Sequence, residues 1–523
     1  MLPLSLFGLA AVPADEVDSL PGFGAPPTKH YSGYLPVGNL SQSPGLLHYW
    51  LQESENDPAN DPTVLWLNGG PGASGIIGML TELGQLQTMP SPGASTTTSA
   101  DSTTAKPATT PLYHNLYGWT KVANLLTIEQ PKGVGFSYCT GSARCANDDL
   151  TTAQDTYEAL VGFFDKFPEY KKNKFFLVGE SYAGVYIPMI MDQIDTHGGI
   201  PQMVGAAIGN GCWGSECFYG VHEAQIDFHT FLGQDFISPA TAEQILDACG
   251  SDWLNATATE GTCSGSRKHP KCQQMLDTMC AEVGNDAFNV YNMYDTCYPD
   301  NGGRSLKDVR ATIARARKEG LTLARWSDAL HTHPALFVGS GGAKEGSEQS
   351  ERSVEVGVGG ETGAAPLGNL NDYACGSEGA MSDWLSSPAV QKALHVTDGG
   401  GGMHYKSNAG DLRALYRKLV AKYKMVIYSG NVDSCVPTWG SEQWTRALGE
   451  PFGVVKPWHP WYSASADPGS SSRVVAGYAI TYGLNNFTFV TVKGAGHEVP
   501  RYKPRFALSF ISKFLSDNGA NSF

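Results

Sequence analysis

The chain has 523 residues, of which 41% are hydrophobic and 17% are charged, and its formal net charge is −15 at pH 7. Such a composition supports a large packed core and excludes a chain that is mostly disordered. The acidic balance disfavours nucleic acid as a partner, because phosphate backbones attract basic surfaces. No apolar run reaches the roughly 18 residues that a membrane-spanning helix needs, so we expect no membrane span.

The N-terminal segment 2–12 is apolar, and Val12-Pro13-Ala14 is similar to a signal-peptidase site. No Lys or Arg precedes this run, so the signal is short and atypical. We expect residues 1–14 to be a signal peptide. The alternatives are a longer signal lost through a misassigned start and a buried N-terminal strand.

The first part of the chain beyond this signal shows strand and helix patterns in order. An amphipathic helix is predicted over 151–167. Residues 91–111 are rich in Ser, Thr, Ala and Pro, which predicts a surface insertion, because this composition buries little apolar area. Strands that open a sheet are predicted near residues 31–34, 46–51, 64–67 and 125–128.

The segment 175–184 is an apolar run that ends at a serine with small neighbours. It predicts a strand, a tight turn and a helix, the arrangement that exposes the nucleophile of an α/β-hydrolase, so Ser181 is the candidate nucleophile. A serine needs a base and an orienting acid, and strands ending at Asp433 and His497 supply them in α/β-hydrolase order. The generic motif has glycine where this chain has Ala183, so a simple packing turn is the alternative for this segment alone.

Six signatures along the chain resemble those of the serine carboxypeptidases of lysosomes, vacuoles and secretions. They lie at residues 66–72, 130–138, 179–184, 208–211, 430–437 and 494–500. The resemblance implies an α/β-hydrolase fold, with a central mixed, mostly parallel sheet and an inserted, disulfide-tied cap domain. It also implies removal of one C-terminal residue at a time from peptides and proteins, without a metal or a cofactor.

The resemblance further implies how the substrate carboxylate is bound. The family uses an asparagine side chain, a backbone N–H and a protonated glutamate, which match Asn68, Gly69 and Glu180. Glu82 matches a second carboxyl beside the first, and Trp66 would line the pocket. Two acids held close cannot both ionise cheaply, so one pKa rises and an acidic pH optimum is expected. For Glu82 alone, an ordinary exposed helix glutamate is the alternative.

Two backbone N–H groups are expected to form the oxyanion hole. The residue after the nucleophile normally supplies one donor, which is Tyr182 here. The resemblance assigns the other to Gly70, the second glycine of the Asn-Gly-Gly loop. A turn without a catalytic role is the alternative for this loop, because Gly and Pro are common in loops.

The resemblance divides the chain into a core and an insertion. We expect the core to comprise residues 15–211 and 367–523, with a cap at 212–366. Within the cap, residues 339–366 are rich in Gly and Glu and are expected to be a flexible linker. Some family members lose a comparable linker and mature into two chains; a plain flexible loop is the equal alternative.

Eleven cysteines fit an oxidising compartment, and their odd number leaves at least one as a thiol, which we expect at Cys435. Cys139 and Cys145 are close enough in sequence for a local loop, as are Cys212 and Cys217. A zinc site is the rival interpretation, but paired C-x-x-C spacings are missing. Connectivity is open for Cys249, Cys263, Cys272, Cys280 and Cys297.

Three glycosylation sequons, at Asn39, Asn255 and Asn486, agree with passage through the secretory pathway. A lysosome, a vacuole and the extracellular space are all compatible with the composition. The family includes monomers and dimers, so a homodimer is one expectation. Two other functions stay open: the acyltransferase branch of the family, and a noncatalytic partner that stabilises other hydrolases.

Overall fold

The computed structural model describes residues 14–89, 110–141, 144–215, 217, 223–249, 270–284, 288–295, 297, 377–397, 402–464, 472–516 and 523. Several sequence predictions lie outside these residues. They are the signal peptide up to residue 13, most of the insertion at 91–111, the linker at 339–366, Asn255 and Cys263.

The strands confirm the mixed, mostly parallel sheet that the sequence predicted. Eleven strands form one sheet in the order β1-β2-β6-β3-β9-β10-β12-β15-β14-β13, with β7 pairing β2. Neighbours from β6 to β15 are parallel, and antiparallel strands flank them on both sides. The strands are β1 His30–Val37, β2 Gly45–Gln52, β3 Thr63–Leu67, β4 Leu86–Thr88, β5 Leu112–His114, β6 Asn124–Ile128, β7 Tyr138–Cys139, β8 Cys145–Asp148, β9 Phe175–Glu180, β10 Met203–Gly209, β11 Met403–Lys406, β12 Lys424–Gly430, β13 Val454–Ala464, β14 Arg473–Tyr482 and β15 Thr488–Val492.

The α-helices of the described residues cover the sheet and build an insertion. None of them is both long and apolar enough to cross a membrane. They are α1 Gly75–Thr81, α2 Asp149–Lys166, α3 Ala183–His197, α4 Glu223–Gly233, α5 Pro239–Cys249, α6 Pro270–Glu282, α7 Ser377–Leu385, α8 Pro388–Ala393, α9 Arg413–Val420, α10 Thr438–Gly449, α11 Val499–Tyr502 and α12 Pro504–Leu515.

Apolar cores on both faces explain why β9 is a continuous apolar run. Phe175 contacts Phe164 of α2 on one face, with 5.2 Å between ring centroids. Phe176 contacts Phe514 of α12 on the other face, also at 5.2 Å. A strand covered on both faces has no solvent side to place polar residues on, so alternation disappears. All of β9 is buried up to its last residue, Glu180.

Helices α4, α5 and α6 lie between β10 and β11 and form a small cap with its own core. Phe228, Phe231 and Met279 are among the buried residues of this cluster, which also includes Val432 of the turn after β12. The cap therefore packs directly onto the turn that carries Asp433. A disulfide between Cys249 and Cys272 joins α5 to α6.

The disulfides agree with the predicted local loops. Cys139 pairs with Cys145, and Cys212 pairs with Cys217. Cys280 and Cys297 are also disulfide-bonded. Cys435 carries a thiol, as expected.

Candidate active site

Ser181 follows β9 directly, at the carboxyl edge of the parallel strands. Its φ of +60° is unusual for a residue with a side chain, so the turn is strained. Hydrogen bonds to the neighbouring chain hold it: its N–H donates to the Gly209 carbonyl at 2.9 Å, and its carbonyl accepts from Cys212 N–H at 3.0 Å. Helix α3 begins two residues later. These features match the strand, turn and helix that the sequence predicted.

Asp433 and His497 meet after β12 and β15, two strands that pair in parallel. Nδ1 of His497 is 2.7 Å from Oδ2 of Asp433. The Asp433 carboxylate is buried and accepts three more hydrogen bonds, from Cys435 N, Val436 N and Asn210 Nδ2. Asn210 follows β10, the strand between the nucleophile and acid strands. Asp433 therefore orients the imidazole of His497, and its own orientation is set by these three hydrogen bonds.

The pKa of His497 is raised above its ordinary 6.5. Burial works in the opposite direction, but the charge and hydrogen bond of Asp433, together with the charge of Glu498, outweigh it. Tyr291, in the segment after α6, adds a further contact. The backbone N–H of His497 donates to the backbone carbonyl of Tyr291 at 2.7 Å, and the centroids of the two rings lie 5.1 Å apart. Tyr291 is a site residue that the sequence analysis missed, since its segment carried no signature.

The glycine loop after β3 packs against the nucleophile turn. A Cβ on Gly69 would lie 2.4 Å from Tyr182 N and 2.5 Å from Ser181 Cβ, so only glycine permits this contact. Gly70 follows with a φ of +108°. Tyr182 precedes the first residue of α3, whose N-terminus carries a partial positive charge. The two predicted oxyanion residues thus lie on segments that touch beside Ser181.

The predicted carboxylate-binding residues form one buried hydrogen-bonded group. Nδ2 of Asn68 donates to Oε1 of Glu82 at 3.0 Å and to Oε1 of Glu180 at 2.9 Å. Oδ1 of Asn68 accepts from Trp66 Nε1 at 2.7 Å and from Gly78 N at 3.2 Å. These two donors fix which way the amide faces, so its NH₂ group points at the acids. Glu82 is fully buried, which excludes the exposed-helix alternative.

Both glutamates favour their protonated form. Burial, followed by the nearby charge of Glu498, raises the pKa of Glu82 to about 8. Burial, followed by Glu82, raises the pKa of Glu180 well above 4.5. Among the described residues, Oε2 of each glutamate has no hydrogen-bond partner. A buried protonated acid with an unused oxygen can donate a hydrogen bond to a ligand carboxylate.

A third acid, Glu498, completes this cluster and directly follows His497. One oxygen from each of Glu82, Glu180 and Glu498 lies within 4.8 Å of the others. Three carboxyl oxygens could in principle hold a hard cation. Buried Arg501 pairs with Glu498 at 2.7 Å and also with Glu378, so this part of the cluster already has a cation. Glu498 lies within the signature at residues 494–500, but the sequence pattern predicted no role for it.

Two of the three predicted glycosylation residues, Asn39 and Asn486, lie in the described part of the chain. Asn39 is exposed just after β1, and its Nδ2 donates to Glu158 Oε2 at 3.4 Å. Asn486 is exposed in the turn between β14 and β15, with a φ of +56°. Both side chains are accessible enough to carry a glycan.

Comparisons with known proteins give a consistent result. Residues 21–517 match the serine carboxypeptidase family. The serine carboxypeptidase-like 21 protein of Arabidopsis thaliana is 33% identical over 96% of this chain and 93% of its own length. The lysosomal protective protein of Mus musculus is 32% identical, covering 97% and 94%. Serine carboxypeptidase 1 of Hordeum vulgare is also 32% identical, covering 97% and 93%.

A solved structure supports the fold. Kex1(Δ)p, a prohormone-processing carboxypeptidase from Saccharomyces cerevisiae, matches with a TM-score of 0.62 over 97% of both chains. The two sequences are 19% identical, so this likeness shows the fold alone. It confirms the α/β-hydrolase fold expected from the sequence.

Proposed function

The chain belongs to the serine carboxypeptidase family, and from this premise we propose that it hydrolyses the C-terminal peptide bond of peptides and proteins through an acyl-enzyme on Ser181. The observation that carries the proposal is the buried pair of Glu82 and Glu180 next to the triad. A carboxylate at the end of a peptide needs donors, and this pair supplies them without a positive charge.

The proposed reaction begins with attack of Ser181 Oγ on the last peptide carbonyl. His497 takes the serine proton and then gives it to the leaving amine, while Asp433 holds Nδ1 and stabilises the imidazolium. Backbone N–H groups of Gly70 and Tyr182 stabilise the oxyanion. Water then hydrolyses the acyl-enzyme, with His497 acting again as the base.

The C-terminal carboxylate is proposed to bind at Asn68, Gly69 and the glutamate pair, with Trp66 fixing the asparagine amide. The unused Oε2 atoms of Glu82 and Glu180 support this role, because each acid still has a hydrogen to donate when protonated. Retention of the asparagine and both acids favours peptide hydrolysis over the acyltransferase alternative.

The pH dependence follows from two groups with opposite requirements. His497 must be neutral to act as a base, and its pKa is raised above 6.5. Glu82 must be protonated to donate, and its pKa is about 8. The need for a neutral His497 limits the rate on the acidic side, and ionisation of Glu82 limits it as the pH rises through about 8. A rate that still rises above pH 8 would exclude this assignment.

The direct test compares an N-blocked dipeptide with its C-terminal amide, in the wild type and in Ser181→Ala. Release of the last residue should strongly prefer the free acid and vanish in the variant. Absence of release by the processed, folded wild type would instead favour acyl transfer or a binding role.

We also propose that the protein enters the secretory pathway, with a lysosome, a vacuole or the extracellular space as its destination. The disulfides Cys139–Cys145, Cys212–Cys217 and Cys249–Cys272 support an oxidising compartment. The exposed sequons at Asn39 and Asn486 also support passage through the secretory pathway. Glycosidase treatment of the secreted or vesicular protein, followed by mass measurement, would test both sequons.

A further inference from the structure

Asp149, the first residue of α2, is a buried acid that the proposed mechanism does not use. Its side chain is almost fully inaccessible. Oδ1 accepts hydrogen bonds from the hydroxyls of Tyr182 and Tyr405, both at 2.8 Å. Oδ2 accepts from the backbone N–H groups of Ala409, at 2.6 Å, and Asn408. Four donors converge on one carboxylate, which makes it a rigid anchor rather than a surface charge.

A chain of tyrosines connects this anchor to the glycine loop. The hydroxyl of Tyr186 accepts from Gly72 N–H at 3.1 Å, and its ring packs edge to face against that of Tyr405, with centroids 6.4 Å apart. The rings of Tyr182 and Tyr186 touch edge to face, with centroids 5.2 Å apart. Gly72 lies two residues after Gly70. Asp149 therefore contacts one predicted oxyanion residue directly, and the packed rings of Tyr405 and Tyr186 connect it to the loop of the other.

We propose that Asp149 is the positioning residue of the oxyanion hole, acting through the hydroxyl of Tyr182; this inference rests on the proposed peptidase function. Tyr182 is held at both ends, by the nucleophile turn through its backbone and by Asp149 through its side chain. An oxyanion donor contributes about 10²–10³ to kcat only when it points at the developing charge. If the hydrogen bond between Asp149 and the Tyr182 hydroxyl is lost, the backbone N–H of Tyr182 is still present but is less precisely oriented toward the oxyanion.

The first test is Asp149→Asn, with Asp148→Asn as its matched control. Asp148 caps α2 by accepting from Thr151 N at 2.8 Å, whereas both tyrosine hydroxyls donate to Asp149. Asparagine is an equally good N-cap, so Asp148→Asn should keep the wild-type kcat. Asp149→Asn should lower kcat about tenfold, because a misaimed donor loses part of its contribution, while KM stays within about twofold. An unchanged kcat, or a loss confined to KM, would overturn the inference.

The second test is Tyr182→Phe, alone and combined with Asp149→Asn. This variant keeps the ring and the backbone N–H and removes only the hydroxyl. If Asp149 acts through that hydroxyl, each single variant loses kcat by a similar factor, and the double variant is no worse than either. Losses that multiply in the double variant would show that Asp149 acts elsewhere. Tyr182→Phe also keeps the inference testable if Asp149→Asn does not fold.

A readout without peptide hydrolysis separates this inference from the proposed function. An aryl phosphonate reacts with Ser181 Oγ to form a phosphorus–oxygen bond, His497 takes the serine proton, and the aryloxide leaves. Its rate depends on the oxyanion hole but not on the carboxylate site. Labelling should be about tenfold slower in Asp149→Asn than in Asp148→Asn, because the same misplaced oxyanion donor that lowers kcat also slows this reaction. Equal labelling would overturn the inference, whereas labelling without peptidase activity in the wild type would overturn only the proposed function.

Discussion

Two buried carboxyl sites lie at the same edge of the sheet and differ in their hydrogen-bond donors. Asp433 accepts from four groups, on His497, Cys435, Val436 and Asn210. The side chains of Glu82 and Glu180 each accept from one, the shared amide of Asn68. Burial is nearly complete in both places.

The difference shows that donors decide what a buried acid can do. Several donors stabilise a carboxylate, so Asp433 is suited to orient and stabilise a histidine cation. A single shared donor does not offset burial, so Glu82 and Glu180 favour their protonated forms. One edge of the sheet therefore holds a carboxylate that orients His497 and a pair of acids that favours protonation, which we propose binds the substrate.

The largest effect is expected for Asp433→Asn. The change removes the anion that fixes His497, and kcat should fall by about 10⁴ with little loss of binding. Glu180→Gln is the matched control, since it makes the same chemical change at a site where the acid is already neutral. At the same pH, that variant should lose less than tenfold in kcat. Similar losses in both variants would remove the distinction between the two sites.

Asn68→Ala should act on binding rather than on chemistry. Its amide holds both glutamates and accepts from Trp66. Loss of a hydrogen bond to the charged carboxylate of the substrate costs about 1.5–3 kcal/mol, so KM for a free-acid peptide should rise about 10- to 100-fold. The C-terminal amide of the same peptide is the control, and its weak hydrolysis should change little. A fall in kcat alone would place Asn68 in the chemical step.

Glu82→Gln should change the alkaline side of the pH profile. Glutamine is neutral at every pH and keeps a donor, whereas Glu82 ionises near its pKa of about 8. The variant should retain activity within a few-fold at pH 7 and lose less of it between pH 7 and pH 9 than the wild type. Steady-state kinetics across that interval would measure it. An unchanged alkaline limb would assign that limb to another group.

Glu82→Gln should also change how the free energy of unfolding depends on pH, and this is the smallest of the effects predicted here. Unfolded Glu82 releases its proton near 4.5, but in the fold its pKa is about 8. The native state therefore holds an extra proton between these values, and the stability contributed below 4.5 is lost as pH rises through 8. Because glutamine does not titrate, the free energy of unfolding of Glu82→Gln should fall less from pH 5 to pH 8. Urea unfolding of both proteins at pH 5 and pH 8 is the measurement. An equal fall in the free energy of unfolding for the wild type and the variant would contradict the prediction.

Strand patterns predicted much of the fold and the positions of the proposed triad residues. The apolar runs that precede Ser181, Asp433 and His497 became β9, β12 and β15, each with its proposed triad residue within five residues of the strand end. Parallel strands place such residues at one edge, which is why sequence order alone was informative. The carboxylate-binding residues depended on the family resemblance, because no local pattern marks Glu82 as buried.

Other contributors could not be predicted, because their roles depend on partners far away in sequence. Asn210 donates a hydrogen bond to Asp433, and the backbone carbonyl of Tyr291 accepts one from the backbone of His497. Asp149 and Tyr405 lie 256 positions apart in the sequence. The edge strand β13 was also missed, since Pro457 and Pro460 interrupt its strand pattern. Each of these depends on tertiary packing rather than on a local signal.

The pH dependence of KM, measured in parallel for a free-acid peptide and for its C-terminal amide, tests most directly whether a neutral carboxyl pair recognises the chain end. KM for the acid should rise above pH 8, where Glu82 becomes charged, while KM for the amide should stay nearly constant. Equal pH dependence for both substrates would contradict recognition by the protonated pair of Glu82 and Glu180.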